Sequence, residues 1–291
     1  MKHPILRAAT LAAVLPVLSS APLALPAQDG ELTFPQLSPG ASIKQTVGLV
    51  DVEVEYSRPS MRGRKIFGGL VPYGEVWRTG ANAATKLTFG ADVKLDGHAV
   101  PAGSYALVTI PGETEWTVIL SKVTGDWGAY AYDEKNDLLR LKVKPVALPA
   151  PMETMTIEIG DIGRGMAKLS IAWDRTRVPV TIDTDLVAMM KPQIEAAMAG
   201  EGEKPYFQAA MFYYEYDIDL GKAVAWIDEA AKARPDAVWI VYRQGLVRAK
   251  AGDKAGAMES AKQALELAGK AGGSLGAEYT RLSETLIASL K

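Results

Sequence analysis

The chain has 291 residues, 48% of them hydrophobic, and its 32 basic and 34 acidic side chains give a net charge of −2. This balance argues against nucleic acid as the main partner, because nucleic-acid-binding domains usually present a strongly basic face. There is no cysteine, so disulfides, a lipoprotein attachment site and cysteine-ligated zinc are excluded. The length suffices for two domains, each with its own core.

The N-terminus has the pattern of a secretory signal peptide. Lys2 and Arg7 form a short basic region, residues 8–18 form an apolar stretch, and small residues and prolines lead to Ala27. The alternative, a buried N-terminal helix, is disfavoured by the prolines in and near this segment. The apolar stretch is well short of the ~20 residues that span a bilayer. We therefore expect a signal peptide over residues 1–27, cleaved after Ala27, and a protein located in the periplasm or outside the cell.

A linker is expected over residues 28–40, and the following segment, residues 41–183, alternates between apolar and polar side chains. Alternation is expected of a strand with one face in water, because successive side chains point to opposite sides of a sheet. The alternating runs begin at Val50, Leu139, Met155 and Leu169. Residues 104–110 and 116–120 are apolar on both faces, as expected of strands that are covered on both sides. Turns rich in glycine and proline separate the runs, which predicts a mainly antiparallel β-sandwich or open barrel.

Helical periodicity replaces the alternation after residue 183. Small residues recur 34 positions apart, in the pairs Ala223 with Ala257 and Ala230 with Ala264. A 34-residue period with small residues where helices cross is typical of the tetratricopeptide repeat. We predict a linker or first helix over residues 184–204 and an all-α domain of this kind over residues 205–291. The fold class is then α+β with segregated domains, and a plain helical bundle is the alternative for the tail.

The most distinctive stretch is Ser57–Lys86, which is rich in glycine, arginine and aromatic residues. Together with Pro101–Leu107, Ile110–Gly112 and Trp127–Tyr130, it resembles the DUF2911 family of exported bacterial proteins, a domain of unknown function. The resemblance covers about residues 38–183, roughly half of the chain. It implies a β domain in a family whose members often carry a helical-repeat tail, and it implies no substrate, cofactor or catalytic residue.

Residues 57–86 are too many for a hairpin connection, and long ordered loops on β scaffolds are frequent binding sites. Arginines bind carboxylate or phosphate through paired donors, and aromatic faces suit sugar rings or other flat apolar surfaces. We predict a site for a small anionic or carbohydrate ligand formed by Arg58, Arg62, Arg64, Lys65, Tyr73, Trp77, Arg78 and Asn82. The structural alternative is that the apolar residues cap one end of the sandwich while the arginines pair with Glu75 or with backbone carbonyls.

The sequence offers few candidates for catalysis, and we assign no catalytic residue. His98, in a predicted turn, is the only histidine beyond the signal peptide, which disfavours a histidine zinc site and a Ser-His-Asp triad. No phosphate-binding glycine–lysine loop and no dinucleotide fingerprint occurs, so we expect no metal and no cofactor. Paired carboxylates beside aromatic rings would suit hydrolysis of a glycan, and the candidates are Asp126, Asp133, Glu134 and Asp137. A solvated turn is the alternative interpretation of these acids.

Three functional hypotheses remain. The leading one is a non-catalytic envelope binding module whose β domain binds the ligand and whose helical tail docks a protein partner. The second is a carboxylate-dependent envelope glycan hydrolase, and the third is a structural or assembly role of the tail. The predicted partner-binding residues of the tail are Trp226, Trp239 and Tyr242, and helix core is the alternative for each. No segment after the signal peptide is apolar enough to cross a membrane.

Overall fold

A computed structural model describes residues 34–125 and 127–291, so the predicted signal peptide lies outside the described residues. The strands and helices below all belong to residues 37–291, which cluster as one unit. Antiparallel strands occupy residues 40–183 and helices follow from residue 186, which confirms the predicted α+β class with segregated domains. Within the described residues, no helix combines the length and the apolar character needed to span a bilayer.

Ten strands precede the helices: β1 (Gly40–Val47), β2 (Val50–Ser57), β3 (Thr85–Phe89), β4 (Val93–Leu95), β5 (His98–Val100), β6 (Gly103–Ile110), β7 (Trp116–Ser121), β8 (Asp137–Val143), β9 (Val146–Gly163) and β10 (Met166–Asp183). They form a six-stranded sheet in the order β1-β2-β3-β6-β7-β8 and a four-stranded sheet in the order β5-β4-β10-β9. Neighbouring strands are antiparallel, and neither sheet closes into a barrel.

The two sheets share one core. Trp116 of β7, from the first sheet, and Met155 and Trp173, from the second, are all fully buried in it. Along β2 the apolar residues are buried and the residues between them are exposed or half-buried, as the alternation predicts. Because the inner faces of both sheets contribute to one core, the domain is a β-sandwich, within the predicted class.

The strands β6 and β7 are buried on both faces, as their apolar sequences predict. The inner face joins the shared core, and the outer face is covered by the loop between β7 and β8. Tyr132 of this loop packs on the outer-face residues Ala106, Val108 and Ile119. We call residues 122–136 the cover loop.

Six helices follow the sandwich: α1 (Leu186–Ala199), α2 (Tyr206–Glu215), α3 (Leu220–Ala233), α4 (Val238–Lys250), α5 (Lys254–Ala271) and α6 (Gly273–Ser289). In the helical domain α2 packs against α3, α4 against α5, and α5 against α6. The helix α1 lies in the segment that was predicted as a linker or first helix. The later helices therefore form two pairs and a closing helix.

The 34-residue period is visible in the helix caps. Asp219 and Asp253 precede α3 and α5, and each carboxylate accepts a hydrogen bond from the backbone N–H three residues later, at 3.0 and 2.9 Å. The small residues identified from the sequence are buried at the helix crossings: Ala223, Ala230, Ala257 and Ala264. A residue with a small side chain permits close approach of two helices. The predicted all-α tail is confirmed, and these caps and small residues follow the 34-residue spacing.

Candidate functional site

Residues 57–86 contain the connection from β2 to β3 and contribute aromatic rings to the core. The indole of Trp77 stacks on that of Trp173, with centroids 5.9 Å apart and an interplanar angle of 19°. Phe67 meets Trp116 edge to face at 4.9 Å. Aromatic pairs of this kind stabilise a core beyond the area that they bury. The connection is therefore packed onto the sandwich, which agrees with the interpretation of its apolar residues as a cap.

The backbone around Arg78 is held on both sides of the residue. The N–H of Trp77 donates to the carbonyl of Thr109 at 2.7 Å, and the N–H of Thr109 donates back to the carbonyl of Trp77 at 2.9 Å. The indole Nε1 of Trp77 donates to the carbonyl of Gly80 at 3.1 Å. Thr79 is buried and adopts a left-handed φ of 56°. These hydrogen bonds fix the backbone position from which the Arg78 side chain extends.

Arg58 ties the connection to the second sheet. Its Nε donates to the carbonyl of Met155 at 3.0 Å, and its Nη2 donates to the Thr156 hydroxyl at 2.7 Å. The backbone N–H of Met155 in turn donates to the carbonyl of Pro59 at 2.9 Å. Both sheets are thus joined through a half-buried guanidinium, and Arg58 takes the structural role that was considered as the alternative for these arginines.

Arg62 and Arg64 lie on the surface and donate to nearby carbonyls. The Nη2 of Arg62 donates to the carbonyl of Leu37 at 3.0 Å. Arg64 donates from Nε to the carbonyl of Met61 at 2.9 Å and from Nη2 to the carbonyl of Ser60 at 2.7 Å. These two bonds orient the guanidinium of Arg64 and leave its Nη1 without a partner among the described residues.

A cleft of about 260 Å³ opens beside these residues, and we call it the arginine cleft. It is lined by Ser38, Pro59, Arg64, Leu70, Val71, Trp77, Arg78, Gly80 and Ala81. The Arg78 side chain is half-buried, its Nε is fully buried, and none of its guanidinium nitrogens has a hydrogen-bond partner among the described residues. A buried donor without an acceptor costs ~1–3 kcal/mol, so an acceptor bound in the cleft would remove this cost.

The lining of the arginine cleft is cationic and otherwise mainly apolar. Arg64 and Arg78 supply positive charge, and no carboxylate is among the lining residues that the structure describes. Pro59, Leu70 and Val71 supply apolar surface, and Leu70 is 46% exposed at the rim. A concave site with apolar walls and few convergent polar groups is the usual form of a small-molecule site.

The other predicted ligand-binding residues lie outside this lining. Lys65 and Tyr73 are exposed, with 39% of Tyr73 accessible to solvent. The Nδ2 of Asn82 donates to the carbonyl of Ser38 at 3.1 Å and to the hydroxyl of Ser57 at 3.2 Å. Of the eight predicted residues, the structure therefore brings three together at the cleft, and these are Arg64, Trp77 and Arg78.

Sequence reasoning missed most of the uncharged wall of the cleft. Leu70 and Val71 were interpreted as part of a cap, and Ser38 lies outside the segment considered. The available signal was the position of two apolar residues between the cations Arg64 and Arg78, within one long connection. That pattern fits a cap and a cleft wall equally well, and only the fold separates them.

The acids proposed for glycan hydrolysis take structural roles where they are described, and Asp126 lies outside the described residues. Asp133 caps a short 3₁₀ turn, its Oδ1 accepting from the N–H of Lys135 at 3.0 Å. Glu134 forms an ion pair with Arg140. The cavity beneath the cover loop has a volume of about 20 Å³, room for about one water molecule and too small for a sugar ring.

Asp137 anchors the cover loop to β8. Its Oδ2 accepts a hydrogen bond of 2.7 Å from the phenol of Tyr132, and its side chain is only 8% exposed. Its Oδ1 is buried without a partner among the described residues. Burial raises the pKa of Asp137, against the lowering effects of the Tyr132 hydrogen bond and the Arg140 charge. Burial, followed by the bond to Asp137, raises the pKa of Tyr132.

Only one of the three predicted partner-binding residues of the tail presents its ring to solvent. Trp226 and Tyr242 pack edge to face on neighbouring tyrosines, with centroid distances of 4.8 and 5.7 Å. Trp239 is 38% exposed, and the guanidinium carbon of Arg234 lies 5.5 Å from its ring centroid. Trp226 and Tyr242 therefore belong to the helix core, which was the alternative interpretation for these residues.

His98 begins β5 next to its turn and is exposed, with Nδ1 3.2 Å from the carbonyl oxygen of Asp96. Within residues 34–125 and 127–291, no group of three or more His, Asp or Glu side chains is placed to hold a metal ion. The described surface thus presents the arginine cleft as its clearest candidate for recognition of a charged ligand.

The chain folds into a β-sandwich domain with a basic cleft beside its β2–β3 connection, followed by a helical domain. Residues 38–182 match the model of DUF2911, a family described as a protein of unknown function. Through this domain the chain belongs to the DUF2911 family. No curated protein and no solved structure matches the chain. The family carries no assigned activity, so function has to be argued from the geometry of the site.

Proposed function

We propose that the protein is a non-catalytic binding module that takes a small anionic ligand into the arginine cleft. The observation that carries this proposal is the guanidinium of Arg78, which is half-buried, positively charged and without an acceptor among the described residues. Structural arginines in the same connection, such as Arg58, have their acceptors supplied by the fold. Arg78 instead lines a cleft that can hold a ligand.

The shape of the cleft limits the ligand to a small one. Its volume of about 260 Å³ lies just below the usual range of small-molecule sites, ~300–1,000 Å³. Planar guanidinium groups match carboxylate and phosphate through paired N–H donors, and such charge-assisted hydrogen bonds are about twice as strong as neutral ones. The ligand class is therefore a small carboxylate or phosphate compound.

The test is calorimetric titration of the protein with phosphate, acetate, succinate and benzoate at constant ionic strength. We expect at least one anion to bind, and we expect Arg78→Gln to weaken that binding at least ~tenfold, which corresponds to ~1.4 kcal/mol. Arg78→Lys keeps the charge but loses the paired donors, so it recovers only part of the affinity. Absence of binding by every anion refutes the proposal.

A matched control is Arg175→Gln. Arg175 is an exposed arginine of β10 that donates to the carbonyl of Pro149 at 2.9 Å, and it lies outside the cleft lining. This variant should bind the anion as the wild type does. Equal losses in Arg78→Gln and Arg175→Gln would indicate a general charge effect and would also refute the assignment of the site.

We further propose that the protein is exported and cleaved after Ala27, on the strength of the N-terminal sequence pattern. Sequencing the N-terminus of protein recovered from the cell envelope or the medium tests this directly. Gln28 as the first residue supports export with cleavage at this position. A chain that still begins at Met1 contradicts it.

For the helical domain we propose contact with a protein partner at Trp239, the predicted residue whose ring is exposed. A photoreactive amino acid at position 239, introduced in the producing cells, should give a covalent adduct larger than the chain. The same group in place of Trp226, which packs on Tyr213, is the control and should give none. Failure to obtain an adduct at 239 argues against this contact.

A further inference from the structure

A second concavity lies on the outer face of the six-stranded sheet, over β1, β2 and β3. Its volume is about 400 Å³, and we call it the sheet trough. It is lined by Gly40, Ala41, Ser42, Glu55, Tyr56, Ser57, Ala83, Ala84, Lys86 and Gly125. None of the residues predicted as ligand-binding is in this lining, and the volume lies within the usual range of small-molecule sites.

The trough forms where small residues at the ends of β1 and β2, its floor, lie beside the cover loop, its wall. The floor is low because small residues occupy it, Gly40 and Ser57 facing each other across β1 and β2. The wall is the cover loop, whose Trp127 forms a backbone bridge with Ala83 at the edge of the trough. The N–H of Gly128 adds a hydrogen bond of 3.2 Å to the carbonyl of Asn82. The wall is thus fixed to the floor by backbone contacts.

The polar groups of the floor form one row across three strands. Ser42 pairs in register with Glu55, and Glu55 pairs in register with Lys86. Glu55 and Lys86 also form an ion pair, with 46% and 42% of their side chains exposed. A carboxylate accepts up to about four hydrogen bonds and an ammonium donates three, so both retain capacity for a ligand. The row is electrically balanced and therefore favours a neutral ligand that both donates and accepts.

The cover loop carries two aromatic rings that the protein does not bury. Neither is among the residues that line the trough, but Trp127 adjoins it through the backbone bridge to the lining residue Ala83. Trp127 is 69% exposed and Tyr130 is 90% exposed. Aromatic rings bury large apolar areas when they find a partner, and exposed rings rimmed by polar groups commonly mark interaction sites. The apolar C–H face of a sugar ring stacks on such a ring, while its hydroxyl groups both donate and accept hydrogen bonds.

We propose that the sheet trough binds a neutral oligosaccharide, with sugar hydroxyls on Ser42, Glu55 and Lys86 and a sugar ring stacked on Trp127. The trough is distinct from the arginine cleft. Ala81 lines the cleft and Ala83 lines the trough, and the residue between them, Asn82, is tied to Ser57 and Ser38 by its side chain. Sugar binding in the trough does not depend on the anion site.

The test is calorimetric titration of the protein with cellohexaose, chitohexaose and maltohexaose, three neutral glycans of different linkage and substitution. The proposal predicts that at least one binds with a Kd of about 1 mM or tighter, and that phosphate does not compete with it. Trp127→Ala should weaken binding at least ~tenfold, while Trp127→Phe keeps a stacking surface and should bind better than the alanine variant.

Two further variants locate the sugar. Val123→Ala removes an exposed apolar side chain of the same cover loop that, unlike Trp127, is not bridged to the trough-lining residue Ala83, and it should bind as the wild type does. Ser42→Tyr places a large ring in the trough from the exposed edge strand β1 and should block binding. Each variant is first shown to unfold at the wild-type temperature or close to it. No binding of any of the three glycans, or undiminished binding by both Trp127→Ala and Ser42→Tyr, would overturn the proposal.

Discussion

The Nη2 of Arg164 lies 3.1 Å from Oδ2 of Asp217, and this contact joins the turn between β9 and β10 to the turn between α2 and α3. Lys250, at the end of α4, approaches the other carboxylate oxygen at 2.5 Å. The guanidinium of Arg164 also lies 5.4 Å from the ring centroid of Tyr216. The sandwich and the helical domain are thus linked by an exposed carboxylate held between two cations.

Hydrogen bonds from Lys250 and then from Arg164 lower the pKa of Asp217. A carboxyl group whose pKa is lower in the folded state stabilises the fold above its unfolded pKa, and this contribution disappears as the pH falls through the folded value. We predict that Asp217→Asn lowers the melting temperature at pH 7 and that the difference from wild type shrinks towards about pH 3. Asp161→Asn, in the β9–β10 hairpin that carries Arg164, is the control and should be neutral. Identical melting of Asp217→Asn and wild type at pH 7 contradicts the prediction.

Ionisation of Asp137 has the opposite effect on stability, because burial raises the pKa of this carboxyl group in the folded state. The ionised form is then the one that the fold disfavours, so Asp137 destabilises the protein above its folded pKa and has no such effect below its unfolded pKa. We predict that Asp137→Asn, which keeps an acceptor for Tyr132, is more stable than wild type at pH 8, with the difference vanishing near pH 3.

The charged and titratable groups that face Asp137 are Tyr132, Arg140, Glu134 and Asp133. Thermal unfolding across pH measures this, and a variant that is less stable at pH 8 would show that the Arg140 charge outweighs burial.

The β-sandwich could be predicted because its strands follow the simplest rule, one buried face and one wet face, as in β2. The burial of both faces of β6 and β7 was also visible in their continuous apolar runs. The cover loop, which covers the outer face of these two strands, was not predicted. From its sequence the cover loop is interpreted as a solvated turn, because Asp133 and Glu134 are polar, although Tyr132 packs on the sheet.

The candidate site was predictable only as a segment, since its arginines are alike in sequence and different in structure. Arg58 reaches the carbonyl of Met155, 97 positions away along the chain, and this pairing depends on how the two sheets meet. Arg78, in the same segment, finds no acceptor among the described residues. Which arginine is paired within the fold and which is not follows from tertiary contacts that local sequence does not encode.

This difference predicts opposite effects on stability for two matched substitutions. Arg58→Leu removes two hydrogen bonds from a charged donor and should lower the free energy of unfolding by about 2 kcal/mol. Arg78→Leu removes a buried donor that has no acceptor, so it should leave the free energy of unfolding unchanged or raise it. Urea unfolding in a buffer free of phosphate and carboxylates compares them. Equal losses in the two variants would mean that Arg78 is structural as well.

Gly245 provides a test of the repeat-like packing of the tail. A Cβ at this position of α4 would lie 3.0 Å from Cδ2 of Leu286 and 3.4 Å from the carbonyl oxygen of Ala257. A single methyl needs only a small shift of the flexible Leu286 side chain, and alanine gains ~1 kcal/mol of helix propensity over glycine, so Gly245→Ala should be nearly neutral. Gly245→Val adds branches that push the helices apart and should cost ~1–3 kcal/mol by overpacking.

Gly269, in α5, is the matched control because a Cβ there would meet nothing within 4 Å. Gly269→Val should therefore be neutral or slightly stabilising in the same urea titration, since valine has the higher helix propensity. A large loss for Gly245→Val beside none for Gly269→Val places a close helix crossing at Gly245. If both valine variants unfold alike, the stability of the tail does not depend on that crossing.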